Sequence, residues 1–191
     1  MGRPKQFDPS SAVSAATDLF WRQGYGGTTP ADLTGELGIG KGSLYHAFDS
    51  KHALFERALR QYGDERVARL IEVLDHPGPV RARIQAALER LASPENAELR
   101  RRGCLAVNTA SELGPDDTAT AIVRSVFDRM ERAFQATIEV GQASGELDHD
   151  LDARVTASLL LAVILGMTVI ARAGDRGGRL KRIVRAAMAV L

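Results

Sequence analysis

The chain has 191 residues, 45% hydrophobic and 26% charged, a globular composition that excludes a disordered or low-complexity protein. Lys and Arg number 25 against 24 Asp and Glu, for a formal net charge of +1, so bulk charge announces no nucleic-acid partner and any such contact must come from placement. The lone cysteine, Cys104, excludes an intrachain disulfide, and the polar, Pro-containing start shows no export signal, so a cytoplasmic protein is expected.

The chain opens on two cations, Arg3 and Lys5, which suit either a solvated tail or an arm along a DNA minor groove. Asp8 then caps and Pro9 begins a helix whose Val13, Ala16, Leu19 and Phe20 recur at helical spacing, and Gly24 ends it. Tyr25, Gly26 and Gly27 form a loop that presents the Thr28 hydroxyl at phosphate-contacting reach.

The stretch from Thr28 to Phe48 reads as helix, tight glycine turn and short polar helix. Thr29 is an N-cap, Pro30 fits the first helical position and Asp32 completes a capping box. Leu33 and Leu37 share a face, Gly38 supplies a left-handed stop, and Ile39 plugs the turn. A second helix opens at Gly40, with Leu44 and Phe48 inward and Lys41, Gly42, Ser43, Tyr45 and His46 available to a phosphate backbone and base edges.

Residues 10 to 60 combine an A-x-x-L-F helix, a G-Y-x-x-T-T segment and G-I-x-K-G-S-L-Y-H-x-F-x-S-K-x-x-L. This arrangement resembles the DNA-binding domain of the tetracycline-repressor-like (TetR) family of transcriptional regulators. The chain departs from it at Gly40, where a Ser or Thr cap is usual, and at Thr34-Gly35, where alanine is usual. Both changes soften the unit, a mid-helix Gly costing about 1 kcal/mol against Ala.

Ser50 caps a long helix from Lys51, with Leu54, Ala58, Tyr62, Leu70, Ile71 and Leu74 on its apolar side, ending before His76-Pro77-Gly78-Pro79. Lys51 itself is placed to reach a phosphate. A helix over Val80 to Leu91 follows, then a charged, exposed segment to Arg102. Gly103 to Leu113 reads as a short buried helix, and Thr118 to Ala143 as a major one with Ile122, Val126, Met130, Phe134 and Ile138 on one stripe. An uncharged helix over Val155 to Ala171 falls just short of a bilayer span and reads as a buried interface helix. Arg179 to Leu191 forms the last helix. The fold is therefore all-α, about nine helices, with a DNA head at 1–50 and a regulatory body at 51–191.

The body carries no catalytic set, metal spacing or cofactor motif: His46, His52, His76 and His149 are scattered, and Asp148, Asp150 and Asp152 serve the start of a helix. An enzyme is not expected. Phe127, Met130, Phe134, Leu160, Ile164 and Met167 lie on two apolar helices that can enclose a cavity or simply form core, and spacing alone favours core. The family resemblance implies a small-molecule pocket in the body whose filling releases DNA; Asn108, Thr109 and Glu112, the polar groups of an otherwise apolar short helix, are its natural orienting contacts.

Cys104 follows three arginines at a helix start, where positive charge favours a thiolate, so it reads either as an oxidant or electrophile sensor or as core. The resemblance also implies a homodimer formed through the last two helices, and Ala162 and Gly166 would allow close helix approach. The function expected is a dimeric repressor of a palindromic operator released by a small molecule. The alternatives are a thiol sensor, or a small-molecule-binding protein with a vestigial head.

Overall fold

The computed structural model describes residues 8–90, 93, 97–175 and 178–191. Among these residues the chain is all-α, with no strand and ten helical segments. In order they are α1 (Pro9–Gln23), α2 (Pro30–Leu37), α3 (Lys41–Phe48), α4 (Lys51–Leu74), α5 (Val80–Glu89), α6 (Ala97–Arg102), α7 (Leu105–Glu112), α8 (Thr118–Ala143), α9 (Ala153–Arg172) and α10 (Gly178–Met188).

Local chemistry sets most boundaries. Asp8, Thr29, Ser50, Asp117 and Asp152 each accept backbone N–H bonds at the start of α1, α2, α4, α8 and α9, satisfying donors that a helix leaves open. Gly38, left-handed at φ 63°, stops α2 and turns the chain toward α3. The charged segment before Arg102, expected to be merely exposed, contains the short α6. Its last turn holds Arg100, Arg101 and Arg102, and cations at a helix C-terminus offset the dipole there.

Two apolar clusters organise the chain. The N-terminal one joins Leu19, Phe20, Leu33, Leu44 and Phe48 to Leu54, Phe55 and Leu59 of α4, and reaches Leu105 of α7 and Val123 of α8. The second gathers Leu74, Ile84, Leu88, Phe134, Ile138, Leu160, Met167, Leu180 and Val184 from α4, α5, α8, α9 and α10. Like α8, the helix α4 belongs to both, so it is a mechanical link between the two ends. It lies close against α8, because a Cβ on Gly63 would stand 2.3 Å from Val126 Cγ2. Ile71, expected on the apolar side of α4, is instead 39% exposed: it lies about 100° around the helix from Leu70, beyond the edge of the buried face at this end of α4.

By length and composition α9 could cross a membrane, and 33% of its most apolar window is buried against the rest of the chain. Its inner face carries Leu160, Ile164 and Met167, while Val155, Leu159 and Val169 are exposed at 64%, 43% and 54%.

Candidate nucleic-acid interface

The unit formed by α2 and α3 is held from below by Leu33, Leu44 and Phe48, all within 1% of complete burial. Thr29 and Asp32 form a full reciprocal capping box: Asp32 N donates to Thr29 Oγ1 at 3.2 Å and Thr29 N to Asp32 Oδ2 at 2.8 Å. The Thr29 hydroxyl, which donates to Asp32 Oδ2 at 2.6 Å, and after it the Thr29 amide hold the Asp32 carboxyl below its ordinary range. Ile39 N closes the turn on Thr34 O at 3.2 Å.

The second helix presents its polar side outward. Lys41, Gly42, Ser43 and His46 are exposed and Tyr45 is half-buried, while Leu44 and Phe48 anchor the opposite face. Gly40 caps α3 without a side-chain hydrogen bond. The first N–H groups of α3 therefore point out uncapped beside the Lys41 ammonium, a combination that attracts an anion. Arg3 and Lys5 lie outside the described residues.

Two of the residues expected on phosphates serve the loop instead. Thr28 is fully buried and its Oγ1 donates to Gly24 O at 2.7 Å, which keeps the hydroxyl from solvent. Lys51 Nζ donates to Tyr25 O and Thr28 O, both at 2.9 Å, and sits 4.1 Å from the Tyr25 ring centroid. Its ammonium is thus turned onto the loop carbonyls, as a buried or half-buried cation requires partners.

The same loop is gripped from the body. Glu112, at the end of α7, accepts from Tyr25 N at 3.0 Å and Gly26 N at 2.5 Å. A Cβ on Gly26 would meet Glu112 Oε1 at 2.9 Å, so the glycine makes room for the carboxylate. Glu112 is therefore a clasp between body and head, and it also lines a cleft together with Trp21, Cys104, Asn108 and Arg172. Three further links run alongside: Trp21 Nε1 donates to Gly103 O at 3.0 Å, Arg102 pairs with Asp18, and His52 bridges Tyr25 and Thr118. No local pattern could have revealed these contacts, which join residues far apart in the chain.

In the body, a cleft lies among α4, α5, α7, α8 and α9 with about 80 Å³ open to water-sized molecules. Phe127, Met130, Ile164 and Cys104 line it. Phe134, Leu160 and Met167 do not: each has 0% exposure and fills the core, where two-sided packing leaves no face for a ligand. Thr109 is buried with its hydroxyl on Leu105 O, whereas Asn108, engaged by Arg172 and the Arg102 carbonyl, lines the neighbouring cleft with Cys104 and Glu112. Sequence reasoning missed Tyr62 and Arg66, which form one end of it. Burial pushes the Tyr62 phenol upward, with Cys104 beside it adding to the effect, so Tyr62 stays neutral.

Comparison with known proteins agrees with this arrangement. Residues 12–58 match the bacterial regulatory proteins of the tetR family, and residues 90–187 match the tetracyclin repressor-like C-terminal domain. The HTH-type transcriptional regulator YezE of Bacillus subtilis is 32% identical over 200 residues, covering 100% of both chains. The HTH-type transcriptional repressor ComR of Escherichia coli is 30% identical over 184 residues, covering 95% of this chain and 88% of its own. The regulator CifR, solved in a cysteine-substituted form on 26-base-pair operator DNA, superposes with a TM-score of 0.86 at 31% identity over 98% of each chain.

Proposed function

Because the chain belongs to the TetR family of DNA-binding transcriptional regulators, we propose that it is a cytoplasmic, homodimeric repressor released from a palindromic operator by a small molecule held in the body. The head is residues 1–50 and the regulatory body 51–191. The observation that carries the reading is the outward side of α3: Lys41, Ser43 and His46 exposed, Tyr45 at their edge, and an uncapped helix start beside them. Lys41 and the α3 amides hold phosphates, while Ser43, Tyr45 and His46 reach base edges. Arg3 and Lys5 add charge from the N-terminal arm. The likeness to a regulator solved on operator DNA supports this assignment.

A dimer follows from α9. Val155, Leu159, Ala162, Gly166 and Val169 form an exposed stripe along it, and a Cβ on Gly166 would find open space. Burying that stripe against its symmetry mate removes apolar surface from water, and the small residues let the helices approach closely. The outward side of α10, with Arg179, Arg182 and Arg185, flanks the contact. Leu159→Glu is expected to give a monomer in light scattering, with operator affinity falling with it.

Release is supported by the position of the cleft. It opens beside α4, and Tyr62, Leu70 and Val73 of that helix line it. Filling it displaces a helix that also belongs to the head core, so a ligand preferring one position of α4 shifts DNA affinity. A second effector chemistry is favoured by Cys104, which lines the cleft, begins α7, and follows Gly103, whose carbonyl holds Trp21 of the head. Oxidation or alkylation there would strain the Trp21 contact. Footprinting on DNA upstream of the coding sequence tests the proposal. Two protected half-sites about 34–36 Å apart are expected, and uniform or absent protection would mean the head is vestigial. Peroxide releasing wild type but not Cys104→Ser would favour the thiol route.

A further inference from the structure

The cleft has an uneven chemistry that names its ligand class. Most of its wall is apolar, including Leu70, Val126, Phe127, Met130, Ile164 and Leu165, and no Asp or Glu lines it. At one end stands the half-buried Arg66. Its Nε donates to the Tyr62 phenol oxygen at 3.0 Å, and its guanidinium lies 5.2 Å from the Tyr62 ring centroid and 5.8 Å from that of Trp21. Among the described residues no carboxylate pairs with it. The other arginines nearby differ: Arg69, at the rim, is paired with Glu65 at 3.1 Å, Arg90, which also lines the cleft, is already engaged, and Arg102, also against the Trp21 ring, is paired with Asp18.

A half-buried guanidinium balanced, among the described residues, by a phenol and two ring faces retains unspent donors and a charge with no carboxylate partner. A carboxylate or similar anion entering the cleft supplies the missing partner, and the planar fork of Arg suits two parallel hydrogen bonds. A neutral head group gains less there, and a cationic one is repelled. We infer that the cleft binds an amphipathic monoanion, its apolar tail between α8 and α9 and its anionic head on Arg66. The inference rests on reading this cleft as the effector site. It also gives the ligand a lever, since the Arg66 guanidinium leans on Trp21 of α1, whose indole is bonded to Gly103 O.

The test is calorimetric titration of the full chain, at fixed ionic strength and neutral pH, with hexanoate, octanoate and decanoate, each beside its amide and its amine. At the best chain length the carboxylate is expected to bind about tenfold or more tighter than the amide, with the amine weakest. Arg66→Gln should remove that preference while leaving amide affinity within about twofold, and Arg69→Gln should keep it. An amide or amine binding as tightly as the carboxylate, binding by no member of the series, or a preference that survives Arg66→Gln would overturn the inference. Should Arg66→Gln fail to fold, the wild-type series decides alone. Operator binding measured in parallel separates the two claims. Anions that bind without releasing DNA refute the effector role but not the head-group assignment, whereas release by ligands of any charge does the reverse.

Discussion

At the scale of single residues, the head is held by a few side chains with identifiable tasks. Gly40 is the weakest of them. It begins α3 at φ −72° and ψ 155°, a conformation any residue adopts, with no cap on the helix and nothing within 4 Å of the place a Cβ would take. Gly40→Ser is therefore expected to raise stability by about 0.5 kcal/mol, read as a higher melting temperature, through a new cap and a less flexible unfolded chain. A fall in melting temperature would show that the backbone there is not free to accept a side chain. Glu146 is the corresponding anchor in the body, accepting from Val80 N and Arg81 N at 2.8 and 3.0 Å at the start of α5. Those two amides, Arg81 first, hold its carboxyl below the ordinary value of 4.5. A depressed folded pKa means the contribution is complete above that ordinary value and is lost as the pH falls through the folded one. Melting curves should show Glu146→Gln less stable than wild type at neutral pH, with the two converging on acidification. A gap that persists below both values would point to a steric cause.

Among the elements, the decisive relation is between α7 and the loop after α1. That loop is pinned on its carbonyls by Lys51 and on its amides by Glu112, so the α2–α3 unit takes its position from both α4 and α7. Glu112→Gln leaves one strong acceptor where there were two. It is expected to destabilise the chain by about 1 kcal/mol and to speed hydrogen exchange at the Tyr25 and Gly26 amides. Unchanged exchange would show that the clasp does not restrain the loop. Much of the element pattern was legible in the sequence because it is local: Asp8, Thr29 and Ser50 announce helix starts, and Gly38 announces the turn. The roles of Thr28, Lys51 and Glu112 were not legible, because each depends on a partner brought close by the fold. An exposed-looking Lys or Glu in a sequence gives no sign that backbone groups far along the chain will claim it. The pocket was half-legible for a related reason. Helical spacing places Phe127, Met130 and Ile164 beside Phe134, Leu160 and Met167, and only the spread of α4 and α5 decides which of them meet empty space.

For the whole molecule, the cores overlap on α4 and α8, and the overlap on α4 would let a ligand in the cleft act on the head. The N-terminal cluster takes in Leu54 to Tyr62 and the second cluster takes in Leu70 and Leu74, so the helix cannot shift at one end without repacking at the other. A switch of this design acts on transcription only if α3 is the surface that meets DNA. The deciding measurement is fluorescence anisotropy of the full chain on its own upstream DNA, at one fixed salt concentration, comparing wild type with Tyr45→Ala and Lys41→Ala. Both variants are expected to stay folded and bind more weakly, by about 1–3 kcal/mol for a lost base contact at Tyr45. Repeated across a salt series, Lys41→Ala should also flatten the dependence of affinity on salt by about one counterion. Wild-type affinity and salt dependence in both variants would place the DNA surface elsewhere and contradict the assignment of α3.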